Sequence, residues 1–233
     1  FLTKDYFFSL IFAIFFLISP ILIFRLNLHL SLGAHWLILA FFYFDIYQSQ
    51  KNIFYKKLFI IVLSSLIHFY FTIILLIMNL FFSFFNYVET KNLKKFLKEN
   101  LIILIVLCFF MYVSGYFQLP ATDALGYGYG YFKSNLLTFV DPNYSNSETS
   151  WSIFISDIYN SPGEKEGFSY LGLGILLIIL IVFFINFKNF KGTKSINYKY
   201  FFLSIFLLAL SFTNNINLGS HSIINFELPK IIF

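Results

Sequence analysis

Along the chain, long runs of Phe, Ile and Leu alternate with short stretches that hold nearly all the lysines. Six apolar runs stand out, at residues 6–24, 34–47, 58–88, 101–117, 171–187 and 200–212. In lipid a backbone N–H or C=O finds no partner outside its own segment, so each run is predicted to be helical. The third run is 31 residues long, and as one helix it would extend about 46 Å. That is too long for one upright span and short for two.

The lysines around it resolve the ambiguity. Lys51, Lys56 and Lys57 precede the run, and Lys91, Lys94, Lys95 and Lys98 follow it. The positive-inside rule puts both flanks on the cytoplasmic side, so the run must cross twice as a tight hairpin. Ser64, Ser65 and His68 are its first clearly polar positions, which sets the turn near His68. A single strongly tilted helix is the alternative, and it would invert everything downstream. With the hairpin, the chain makes about seven crossings, and 12 of its 16 basic residues fall inside. Residues 25–33, the hairpin tip, residues 118–170 and the stretch from Asn214 onward then lie outside. All four histidines, His29, His35, His68 and His221, come to or near that outer face without having been used to build the topology.

Composition agrees with this pattern. Hydrophobic residues make up 59% and charged residues 12% of the 233 positions, with a mean hydropathy of +0.78, far from a soluble domain. The expected fold class is all-α: a polytopic transmembrane helical bundle forming a single domain over residues 1–233, with residues 118–170 inserted as one large outer loop. The chain starts at Phe1 and ends as another apolar run begins, which reads as an internal fragment. Its one cysteine, Cys108, sits within an apolar run, which leaves no disulfide framework and no thiolate metal site. The net charge of +5 follows from small clusters beside the membrane, so no nucleic-acid partner is expected.

The outer loop is the one segment of soluble character, and its length exceeds an ordinary connection. Trp151, Phe154 and several Tyr argue for a folded loop that packs on the membrane face, with interfacial helices around residues 151–159. Within it, Gly126-Tyr-Gly-Tyr-Gly130 alternates a flexible residue with an aromatic one. Rings that stack and hydroxyls that hydrogen-bond suit a sugar, and a strained turn anchored at the interface by its Tyr rings explains the pattern equally well. The spacing is not that of a phosphate loop. Six acids lie in this loop, and nothing in their spacing nominates a pair for acid–base work. Asp141, before Pro142, fits a turn start better than a catalyst.

Arg25, the only arginine, closes the first run, with His29, His35 and Trp36 within a dozen residues of it. A guanidinium at the outer boundary can grip a phosphate bidentately, with imidazoles beside it as further donors. A snorkelling Arg beside an aromatic belt accounts for the Arg but not for two nearby His. His68 interrupts a hydrophobic run, where an ionisable group is by default a functional candidate. No close His pair or H-E-x-x-H pattern supports zinc, so no metal site is expected among the histidines.

Taken together, Ser19-Pro-Ile-Leu-Ile-Phe-Arg25, the stretch from His29 to Trp36, Leu66-Ile-His-Phe-Tyr70, the stretch from Gly126 to Tyr131, Ser134-Asn-Leu-Leu137, Asp141-Pro142 and the stretch from Glu166 to Gly174 resemble an uncharacterised family of bacterial multispanning membrane proteins similar to GT-C glycosyltransferases. The resemblance implies a GT-C-like bundle in the bacterial inner membrane. It further implies transfer of a sugar from a polyprenyl-phosphate donor to a cell-envelope acceptor at the outer face. It implies membrane lipid and a polyprenyl-phosphate-linked sugar as partners, and no particular cofactor. Such enzymes use an acid in their first outer loop, which would lie upstream of Phe1, so no catalytic residue is assigned. On this resemblance Arg25, His29 and His68 face the lipid phosphate, with His35 beside them, while Tyr127, Tyr129, Asn135 and Glu166 line the sugar or acceptor side and Asp141 borders it. Two rivals remain. A lipid-linked saccharide flippase would need a polar path through the bilayer, and a noncatalytic envelope-assembly subunit would depend on the exposed aromatics of its loop.

Overall fold

The structure, a computed structural model, describes residues 6–46, 52–118, 133–140, 169–187 and 198–226. It places a helix in each of the six apolar runs: α1 (Tyr6–Leu17) and α2 (Pro20–Leu28), α3 (Trp36–Ile46), α4 (Ile53–Ile67) and α5 (Phe69–Thr90), α6 (Leu93–Val113), α7 (Leu173–Phe187) and α8 (Tyr198–Phe212). A short β-hairpin follows, β1 (Asn215–Leu218) and β2 (His221–Asn225). The chain falls into two compact units, residues 26–124 and residues 1–25 with 125–233.

The first unit is a bundle of four consecutive helices, α3 to α6. Three contacts nested about their connections show that successive helices run antiparallel. Lys57 on α4 reaches back to Asp45 on α3 at 2.7 Å. Ser64 donates to Thr72 Oγ1 across the α4–α5 break at 3.2 Å. Asn79 on α5 donates to Asn100 Oδ1 on α6 at 2.9 Å. The 58–88 run therefore folds back on itself, and the break falls at His68, whose backbone is extended (φ −162°, ψ 129°). Its Nδ1 accepts the Tyr70 N–H at 3.3 Å, capping one of the N–H groups that a new helix leaves open. The α5–α6 link is only Lys91 and Asn92. Lys91 takes a left-handed conformation (φ 56°), and Asn92 Oδ1 caps α6 by accepting the Lys95 N–H at 2.9 Å.

Among the described residues, two helices, α5 and α6, are long and apolar enough to cross a membrane, and α1 with α2 would make a third if that pair, bent by 41°, is one span. The bend has a local cause, since Pro20 opens α2 and cannot donate a backbone hydrogen bond back into α1. At 15 residues each, α4, α7 and α8 reach about 22 Å against a hydrocarbon core of about 30 Å. The 11 residues of α3 reach about 16 Å. Leu101, Leu104, Ile105 and Phe109 on α6 are each more than half exposed, an apolar surface better suited to lipid than to water.

Inside the bundle Leu37, Phe41, Ile61, Leu75 and Met78 are wholly enclosed. The same interior holds polar groups. On α5, Thr72, Asn79, Ser83, Asn86 and Thr90 recur at intervals of seven, four, three and four residues, which places them along one face. Thr72 and Asn79 on that stripe are buried, as are Ser64, Ser65 and Asp45 from the neighbouring helices.

The second unit is ordered around the β-hairpin. Gly219, with φ 59°, opens the Gly219-Ser220 turn between the strands, a conformation that suits glycine. The strands pair Ile216 with Ile224 and Leu218 with His221, with a register shift after Ile216. Residues 133–140 lie against this hairpin and α8: the Ser134 N–H donates to Ser211 O at 3.0 Å and the Leu136 N–H to Asn217 O at 2.9 Å.

Candidate functional site

The tip of the α4–α5 hairpin gathers three of the four histidines. Residues 29–35 bring two of them there through a 3-10 turn (Leu30–Gly33), whose start is fixed by the Leu32 N–H donating to His29 O at 2.9 Å. Gly33 lies beneath the Leu26 side chain, where a Cβ would collide with it, so the loop closes tightly around its own base. The His35 ring meets Phe71 edge-on at 5.4 Å between centroids. His68 meets the same Phe71 ring at 6.4 Å and stacks on Tyr70 at 5.1 Å. Phe71 is buried, so it gives two imidazoles one fixed ring to pack against edge-on. Tyr116, beyond the end of α6, donates its hydroxyl to Ser65 O at 2.8 Å and ties α6 to the tip.

Electrostatics follow from that crowding. Partial burial, and after it the charge of His29, hold the His68 imidazole below its ordinary value. The cap at Tyr70 agrees, because a ring nitrogen that accepts a hydrogen bond carries no proton; the His68 proton sits on Nε2, which is left as a donor. A neutral imidazole donor on an aromatic ledge can hydrogen-bond a phosphate oxygen without bringing a full charge to the membrane boundary.

The other candidates are placed as follows. Arg25 stands in the last turn of α2, where a cation is favoured by the carbonyl end of a helix; it belongs to the second unit. His221 is exposed on β2, also in the second unit. Tyr127, Tyr129, Asp141 and Glu166 lie outside the described residues, as do the expected interfacial helices around residues 151–159. Asn135 is described and is almost fully buried. Its Nδ2 donates to Gly219 O at 2.9 Å, and its Oδ1 accepts the N–H groups of Gly219 at 3.0 Å and Leu137 at 3.1 Å. Those bonds account for Asn135 as a clasp on the β-turn. A second tie holds the far end of the loop, where the Ser169 N–H donates to Thr138 Oγ1 at 2.9 Å. The Ser134-Asn-Leu-Leu137 motif is thus explained by the architecture that anchors the loop ends.

Two features escaped the sequence reading. The polar face of α5 was hidden because the run was read for bulk hydropathy, although the spacing of Thr72, Asn79, Ser83 and Asn86 carries it. The β-hairpin was signalled by alternating Asn-Ile-Asn-Leu218 before a Gly-Ser pair, a recognised two-residue turn signature.

A family model described as a domain of unknown function (DUF6311) matches residues 2–233. A search of curated proteins finds no match. A search of solved structures likewise finds none.

Proposed function

The chain belongs to the DUF6311 family, and we propose that it is a multi-pass membrane glycosyltransferase of the GT-C type, working at the outer face of a bacterial inner membrane. In this reading a polyprenyl-phosphate-linked sugar loses its C1–O bond to the phosphate while C1 gains a bond to an acceptor hydroxyl of the cell envelope. The acceptor proton goes to a carboxylate, and the polyprenyl phosphate leaves with its charge met by the donors at the hairpin tip.

One observation carries the proposal. His29, His35 and His68 cluster at one end of the α4–α5 hairpin, within reach of the Phe71 and Tyr70 rings or of one another's charge. Lys57 lies toward the opposite end, over the Phe82 ring at 5.6 Å. By the positive-inside rule the lysine end is cytoplasmic and the histidine end faces outward, where lipid-linked sugars are presented. The test is transfer by the full-length protein: the Arg25→Ala, His68→Ala double variant loses it, while transfer at the normal rate would remove the phosphate-site reading.

A second reading is favoured by the polar face of α5. A flippase needs polar groups along a path through the bilayer, and Ser64, Thr72 and Asn79, with the Asp45–Lys57 pair beyond, supply such groups inside the bundle. Movement of a labelled lipid-linked saccharide across vesicles without any new glycosidic bond would select it.

A further inference from the structure

A second polar centre lies toward the lysine end of the α4–α5 hairpin, and it does not rest on the outer-face chemistry above. Asp45, wholly buried, receives Lys57 Nζ at 2.7 Å. The same ammonium lies over the rings of Phe41 at 5.2 Å and Phe82 at 5.6 Å. A buried ion pair gains little over an apolar pair of the same volume, so its presence inside a membrane bundle points to use.

Beside it opens a cleft of about 130 Å³, room for several waters or a short polar ligand. On α5 it is lined by Asn79, Ser83 and Asn86, and on α6 by Lys95 and Glu99. Among the described residues, neither Ser83 nor Asn86 has a side-chain hydrogen-bond partner, and Asn79 uses one amide N–H on Asn100. Lys95 and Glu99 stand 3.9 Å apart and are 54% and 30% exposed. A pair so long and so open is worth little to stability and leaves both groups able to turn toward an occupant.

The lining selects the occupant by charge. A simple anion would meet Asp45 and Glu99, and a simple cation would meet Lys57 and Lys95. A short zwitterion meets both sets, its phosphate taking hydrogen bonds from Lys95 and the side-chain amides, its ammonium giving them to Glu99 and the Ser83 hydroxyl. A primary ammonium fits better than a quaternary one, which has no N–H to donate. The cleft spans from the first turns of α6 to the middle of α5, near the lysine-rich α5–α6 connection in sequence, the kind of zone where headgroups meet a helix end. We infer that this cleft binds an aminoalkyl phosphate, the unit shared by a phosphatidylethanolamine headgroup and free phosphoethanolamine.

The test is thermal unfolding of the full chain in detergent. Four probes are titrated: dihexanoyl phosphatidylethanolamine, its phosphatidylcholine and phosphatidylglycerol counterparts, and free phosphoethanolamine. A rise in Tm with the phosphatidylethanolamine probe and with free phosphoethanolamine supports the inference. A rise with only one of the two supports it and names the source, lipid or soluble. No rise with either, or an equal rise with phosphatidylglycerol or phosphatidylcholine, overturns it. Lys95→Gln and Glu99→Gln alter partly exposed side chains and spare the fold; each should weaken binding about tenfold, the scale of one lost charge-assisted hydrogen bond. Unchanged affinity in both variants also overturns it. Since neither Arg25 nor His68 enters this assay, its outcome is independent of the glycosyltransfer reading.

Discussion

His68 serves two purposes at one position: it breaks the helical hairpin, and its unprotonated Nδ1 caps the helix that follows. The fold therefore accepts the neutral ring, and burial together with the His29 charge lowers its pKa in the folded state. Unfolded, the ring takes up its proton near its ordinary value of about 6.5; folded, it resists to lower pH. The stabilisation is complete above about pH 6.5 and is lost as pH falls through the lowered folded value. Between about pH 7.5 and about pH 5, Tm should fall more steeply for the wild type than for His68→Asn, which keeps a cap acceptor but does not titrate. Parallel curves would contradict the capping role. Asn135 offers a second case at this scale. Asn135→Ala leaves the Gly219 N–H and C=O without their buried partner and should cost about 2–4 kcal/mol in chemical denaturation. An unchanged midpoint would mean that the clasp is not what holds the turn.

Among the elements, the helices were legible because lipid-compatible runs have one solution for their backbone, and the break at His68 was legible because polar residues interrupt an otherwise seamless run. Lengths were not legible. Run boundaries mark where hydropathy changes, whereas helix ends depend on caps such as Asn92 and on left-handed exits such as Lys91. So α6 extends back over Lys94, Lys95 and Lys98, and α3 stops at 11 residues. The sequence places all four histidines toward one face; the structure brings His29, His35 and His68 to the hairpin tip and leaves His221 on β2, and Phe71, which packs against His35 and His68, is one Phe among 36 in the sequence. At this scale the hairpin itself can be tested. Ser64 and Thr72 hydroxyls lie 3.2 Å apart across the break. In a Cys108→Ala background, Ser64→Cys with Thr72→Cys should oxidise to a disulfide, seen as the loss of two titratable thiols. Two thiols that persist under oxidant would place α4 and α5 end to end instead.

For the whole molecule, direction across the membrane decides whether the proposed transfer is possible. The antiparallel order of α3 to α6 puts lysine clusters at one end and histidines at the other, and only the cytoplasmic attraction of lysine says which end faces out. In a bilayer, lipid packs against apolar side chains as well as other helices do, so the polar pairs Ser64–Thr72 and Asn79–Asn100 supply contacts between helices that lipid cannot replace. Single cysteines at Ser145, Lys91 and Lys194 in the Cys108→Ala protein, exposed in whole cells to a membrane-impermeant thiol reagent, read the direction. Ser145 should label, and Lys91 and Lys194 should not until the cells are permeabilised. Labelling at Lys91 and Lys194 with Ser145 protected would turn the molecule over, put the histidine tip in the cytoplasm and remove the outer-face transfer it was proposed to perform.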